Sequence, residues 1–194
     1  MRRPFPQQPT PHGDIPYHKI VTKWPIVILT ILGVSFIGSA QVSSREQARL
    51  TKEIRHKLVT LPFYSVFDNL AYSLDGANVT LSGETPRAGT KIDAEKAVKR
   101  IEGIGTVTNN IEVLPVSPSD DRLRRAVYKA IFNKPGLDMY AHQSVPTIHI
   151  VVKDGHVTLV GSVSNQGDKN QAGIVAQGVP GIFSVKNDLV VDKP

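Results

Sequence analysis

Asp154-Gly155-His156-Val157-Thr158-Leu159-Val160-Gly161 is the stretch of this 194-residue chain whose reading decides the fold. Val157 and Leu159 alternate with Thr158 and Val160, the period-two pattern of a strand with one buried face. Asp154-Gly155 ahead of them is a two-residue turn signal. Upstream, Ile148, Ile150 and Val152 alternate in the same way, so the turn joins two antiparallel strands.

The same pattern stands earlier in the chain. Val79-Thr80-Leu81-Ser82-Gly83 matches Val157-Thr158-Leu159-Val160-Gly161 at an offset of 78 residues. That offset persists through Ala94 and Ala172, Ile101 and Val179, Gly103 and Gly181, Val107 and Val185, and Asn109 and Asn187. Before the hairpins the offset is 73, aligning Arg49-Leu50 and Ile54 with Arg122-Leu123 and Val127, so the second copy holds five extra residues near Asp138 to Pro146. The chain is an internal duplication.

Each copy reads helix, strand, strand, helix, strand. In the first, Leu50, Ile54, Leu58 and Leu61 recur at helical spacing and Pro62 ends the helix. Leu70, Tyr72 and Leu74 alternate, Asp75-Gly76 turns the chain, and Gly76-Ala77-Asn78-Val79 reads as a turn one residue longer than that of the second copy. Ala94, Ala97, Val98 and Ile101 make a second helical stripe stopped by Gly103, and Val107, Ile111 and Val113 a last strand. Gly83 and Gly161 are expected to end strands. The predicted fold is α+β: an N-terminal hydrophobic helix, then two α-β-β-α-β modules, each a three-stranded mixed sheet with two helices on one face. The modules span 46–114 and 119–192, with 115–118 as a short proline-stiffened linker.

Residues 1–23 form a basic leader rich in Pro and Gln, expected to be disordered. Residues 24–40 carry no charge and follow Lys23 directly. Two expectations stand side by side: a retained transmembrane anchor with Trp24 at the interface, or a signal h-region cleaved near Gly38-Ser39-Ala40. Basic residues ahead of the segment place the N-terminus in the cytoplasm and the modules outside under either one.

Of the net charge of +6, residues 1–23 supply +3, and the first repeat balances nine basic against nine acidic residues. So weak a positive balance argues against a broad nucleic-acid surface, as does the lack of a Gly-x-x-Gly clamp between helices. With no cysteine there are no disulfides, thiolate metal sites or cysteine nucleophiles. Gly103-Ile104-Gly105 follows a helix and precedes a strand, the reverse of a phosphate-binding loop. No nucleophile elbow or His-Glu-x-x-His is present, so neither catalytic nor metal residues are assigned, no cofactor is expected, and the chain reads as non-catalytic.

The spaced elements Asp154-Gly155-x-Val157-Thr158-Leu159-x-Gly161, Gly181 and Val185-Lys186-Asn187-Asp188-Leu189, twice over, resemble the BON domain family. The resemblance implies an exported, non-catalytic module of the bacterial envelope, associated with phospholipid surfaces, osmotic or envelope stress and attachment to partners. It transfers no site residues.

The binding candidates come from helix amphipathicity. Arg122, Arg125 and Lys129 share one stripe, with Arg124 beside it, opposite Leu123, Val127 and Ile131. Arg45, Arg49, Lys52 and His56 make a similar row in the first copy, diluted by Glu46 and Glu53. A basic row beside a membrane attracts anionic headgroups. The expected partner is therefore anionic phospholipid, or alternatively an envelope protein docking on the sheet face that carries Val151, Thr158 and Val160. His149 and His156 are expected on that face as surface histidines, about 13 Å apart and too distant to share one ion.

Overall fold

The computed structural model describes residues 44–192, which belong to one compact unit. The leader, the hydrophobic stretch 24–40 and the choice between anchor and cleaved signal lie outside the described residues. Among the described residues no helix is long and apolar enough to cross a membrane.

The first module runs α1 (Ser44–Val59), β1 (Asn69–Asp75), β2 (Asn78–Thr85), α2 (Ala88–Lys99), β3 (Val107–Asn109) and β4 (Glu112–Val113). The second runs α3 (Pro118–Phe132), a 3-10 helix (Asp138–His142), β5 (Ile148–Lys153), β6 (His156–Val163), α4 (Gln166–Gln177) and β7 (Ser184–Val191). In each, an antiparallel hairpin is extended by a third strand parallel to its second. Val79 faces Val107 and Val157 faces Val185, a separation of 28 residues in both modules, so the repeat extends to the register.

Each module has its own core. In the first, Leu50, Ile54 and Leu58 of α1 and Ala94 and Val98 of α2 meet Val79 and Leu81. In the second, Val127 and Ile131 of α3 and Ala172 and Ala176 of α4 meet Ile150, Val152, Val157 and Leu159. Because these strand positions alternate along one side, both helices of a module lie on one face of its sheet. Among the described residues both cores are built from residue 50 onward, so a fragment beginning at Ser44 contains all of those core residues.

Several details differ from the expectation. The third strand of the first module is interrupted at Asn110-Ile111, which makes that sheet four-stranded by count; Ile111 is buried but Val113 is 37% exposed. The two hairpin turns are equal in length: Asp75 pairs with Asn78 and Lys153 with His156. What differs is the conformation. Gly76 alone takes positive φ in the first, whereas Asp154 and Gly155 both do in the second, as a type I′ turn requires. Gly83 and Gly161 do not end their strands. A Cβ on either would lie 1.9 or 2.0 Å from the carbonyl oxygen of Asn69 or Thr147, so glycine is needed for the close approach of the partner strand. Pro118 belongs to α3, at its N-terminus behind the Ser117 cap, where a missing N–H leaves no hydrogen bond unmade.

The repeated asparagines have a structural role. Asn109 Nδ2 donates to the Lys91 carbonyl at 2.9 Å, and Asn187 Nδ2 to the Lys169 carbonyl at 2.7 Å. Each thereby ties the third strand to the helix before it, and its Oδ1 accepts from the amide two residues on.

Candidate functional site

Helix α3 begins where the Ser117 hydroxyl accepts from the Asp120 amide at 3.1 Å. Beyond that cap Leu123, Val127 and Ile131 turn to the core, and Arg122, Arg125 and Lys129 are carried to the exposed side. Among the described residues none of these three forms an ion pair. The row expected from sequence is therefore on the surface. Arg124 is a correction. It is only 4% exposed, donates to the Val152 carbonyl at 2.6 Å and pairs with Asp121, so it braces α3 against β5 and is not part of the row.

The corresponding row on α1 is weaker. Arg49 is held by Glu46, Glu53 and the Glu102 carbonyl, and its hydrogen bond lowers the Glu46 carboxyl below the usual carboxylate value. Arg45, Lys52 and His56 remain exposed. Tyr128 stands next to the α3 row, its ring 4.8 Å from Phe132 and 6.2 Å from Phe67 of the first module.

That last contact belongs to a junction the sequence did not announce. The segment between α1 and β1, from Phe63 to Asp68, crosses to the second module. Val66 and Phe67 pack against the second core, and the Val66 carbonyl accepts from the Ile150 amide at 2.7 Å. β5 is an edge strand of its sheet, and this bond covers part of the edge. Lys153 and Glu112 pair across the junction at 2.7 Å, which raises the Lys153 ammonium above its usual value.

The segment is braced from within. Asp68, fully buried, accepts from the Ser65 amide and hydroxyl, from the Thr85 hydroxyl at 2.6 Å and from Arg87 at 2.7 Å. The same arginine donates to the Phe63 carbonyl. No period-two or 3.6 pattern runs through Phe63–Asp68, so nothing in the sequence marked it.

The sheet face of the second module is partly occupied as a result. Val151 lies opposite the helices yet is 7% exposed, and it shares a shallow pocket with Glu112 and Leu114. His149 and His156 lie on that face in the expected register, but only His156 is exposed. His149 is half-buried with its ring centroid 5.9 Å from that of Tyr64, and burial holds its imidazole below the ordinary histidine value. Tyr64 is half-buried as well, and its phenol is pushed up to about 12. Among the described residues no three side chains of metal-ligating type gather into a site.

These features can be set beside known proteins. The chain is 30% identical over 123 residues to osmotically-inducible protein Y of Escherichia coli (strain K12), a match spanning 62% of this chain and 61% of that protein. Two solved structures of CdsD, a structural protein of the type III secretion system of Chlamydia trachomatis, align over 74% of this chain. They cover 92% and 98% of their own chains at 12% and 13% identity, with TM-scores of 0.30 and 0.29. The model of the BON domain matches residues 46–115 and again 119–193, one match for each module built above, and the chain belongs to the BON domain family.

Proposed function

We propose that this chain is a non-catalytic binding protein of the bacterial envelope whose second module contacts anionic phospholipid through Arg122, Arg125 and Lys129. The observation that carries this reading is the exposed row of three cations on α3, free of ion pairs among the described residues. Each such charge near an anionic surface contributes about 1 kcal/mol, so a single row binds weakly. Avidity supplies the rest: a second module on the same chain, and residues 24–40 at the membrane, raise the effective concentration. The relative's name places that protein in an osmotic response, and we extend this setting to the present chain. The alternative, a protein-interaction subunit docking through the open sheet face, has less surface at its disposal, because the first module already covers Val151.

Flotation of the fragment Ser44–Pro194 with liposomes tests the reading, since both cores lie within it. Salt-sensitive flotation with anionic vesicles only is expected, and the triple change of Arg122, Arg125 and Lys129 to Glu should abolish it. Flotation of the triple variant at the wild-type level, or none by the wild type, would overturn it.

A further inference from the structure

The extra residues of the second module form a wall. Gln143, Ser144, Val145 and Pro146 flank one side of a cleft at the module junction. The first module supplies the other side, with Arg55 and Leu58 of α1, Tyr64, and Ala71 and Tyr72 of β1. Two lobes of about 390 and 560 Å³ share Arg55, Val145, Pro146 and His149. Each lies within the roughly 300–1,000 Å³ usual for small-molecule sites. The duplicated copies thus differ in length where the chain builds this cleft.

The lining has a definite chemistry. Leu58, Leu70 and the two tyrosine rings give the smaller lobe an apolar wall, which Val145 and Pro146 continue into the more polar larger lobe, and no Asp or Glu lines either lobe. Arg55 is exposed and forms no ion pair among the described residues. Thr147 Oγ1 and His149 Nδ1 are buried without a hydrogen-bond partner of good geometry, although the backbone near Ser65, Asp68 and Pro146 approaches the His149 ring. The nearby carboxylate, Asp68, is already engaged by Ser65, Thr85 and Arg87.

We propose that the cleft binds a small anionic amphiphile, its single negative head against Arg55 and its apolar body along the walls of the two modules. The site uses none of the α3 cations, so it goes beyond the membrane-surface reading and does not rest on it. The negative head belongs either to a free carboxylate or to a lipid headgroup.

Calorimetric titration of Ser44–Pro194 with octanoate, octanol, acetate and a short-chain lysophosphatidylglycerol below its aggregation concentration tests the proposal. Octanoate or the lysolipid should bind, with acetate silent and octanol about tenfold weaker, the effect of one lost charge-assisted contact. The tighter of the two anions identifies the source of the head. R55Q should weaken the anion about tenfold and leave octanol unchanged. A71W, checked for cooperative melting, should block both. Replacing Arg122, Arg125 and Lys129 by Glu should leave this binding intact while abolishing flotation, which separates the two readings. Binding of neither anion, or anion binding indifferent to both R55Q and A71W, would overturn the proposal.

Discussion

Phe63 holds a backbone conformation that its counterpart in the other module assigns to glycine. At the offset of 73, Pro62-Phe63 aligns with Pro135-Gly136. Gly136 has φ +90 and Phe63 has φ +65, so the chain leaves both first helices through a left-handed residue. An L residue in that region costs about 1–2 kcal/mol. Glycine returns roughly 0.5–1 kcal/mol of this through its greater freedom in the unfolded chain. The Phe63 ring is 81% exposed, so its removal loses little burial. The Arg87 bond is made to the Phe63 carbonyl and survives any side-chain change. Phe63→Gly should therefore stabilise the protein by about 0.5–1 kcal/mol, at roughly 2–4 °C in Tm for each kcal/mol in a protein of this size. Phe63→Ala keeps the Cβ, hence the strain, and should stay within about 0.5 kcal/mol of wild type. Urea unfolding of Ser44–Pro194 and both variants reads the difference. Equal stability of the glycine and alanine variants would refute the strain argument, and a less stable glycine variant would show that the ring packs.

Two further outcomes are expected. Asp120, 2% exposed at the start of α3, accepts from the amides of Asp154 and Gly155 at 3.0 and 2.9 Å. Asp120→Ala leaves both amides unpartnered and should cost about 2–4 kcal/mol in urea unfolding, with Asp120→Asn, which retains one acceptor oxygen, near half of that. His149 has its folded pKa lowered by burial, partly opposed by the Asp68 charge, so the unfolded chain takes up the proton more readily. Its contribution is complete above about pH 6.5 and declines as the pH falls below that, levelling off once the lowered folded value is passed. Melting profiles of His149→Gln should lose this part of the acid slope; an unchanged slope would place the destabilisation elsewhere.

The modules were legible because their signals are local. Alternation in Ile148–Val152 and Val157–Leu159 fixed which face is buried, and the constant offset carried the second helix and third strand along with the hairpin. Exposure of Arg122, Arg125 and Lys129 followed from the 3.6-residue period alone. The same reasoning failed for Arg124, because a guanidinium at the edge of the apolar stripe reaches the Val152 carbonyl, and that carbonyl's position depends on tertiary packing. It failed for His149 because the residue's cover comes from Tyr64 of the other module. Gly83 and Gly161 were recognised as special, but the reason, a facing carbonyl, is a contact between strands.

The junction explains why two modules with one register have diverged in the segment after the first helix. Val66 of the first module meets β5 of the second, so the contact joins two different surfaces. Such a heterologous contact propagates: an identical second copy would offer the same segment to a third module. The second copy does not. Its counterpart segment is lengthened, folds into the 3-10 helix Asp138–His142 and turns Tyr140 inward, where the hydroxyl donates to Asp168 at 2.6 Å and accepts from the Ser164 amide at 2.8 Å. Tyr140 becomes part of its own module's core, whereas Val66 and Phe67 pack against their neighbour's. The insertion thus removes from the second module the segment with which the first docks. Gln143 to Pro146, which follow the 3-10 helix, line the cleft beside Arg55, so loss of the docking segment and construction of the cleft wall follow from one change in the chain.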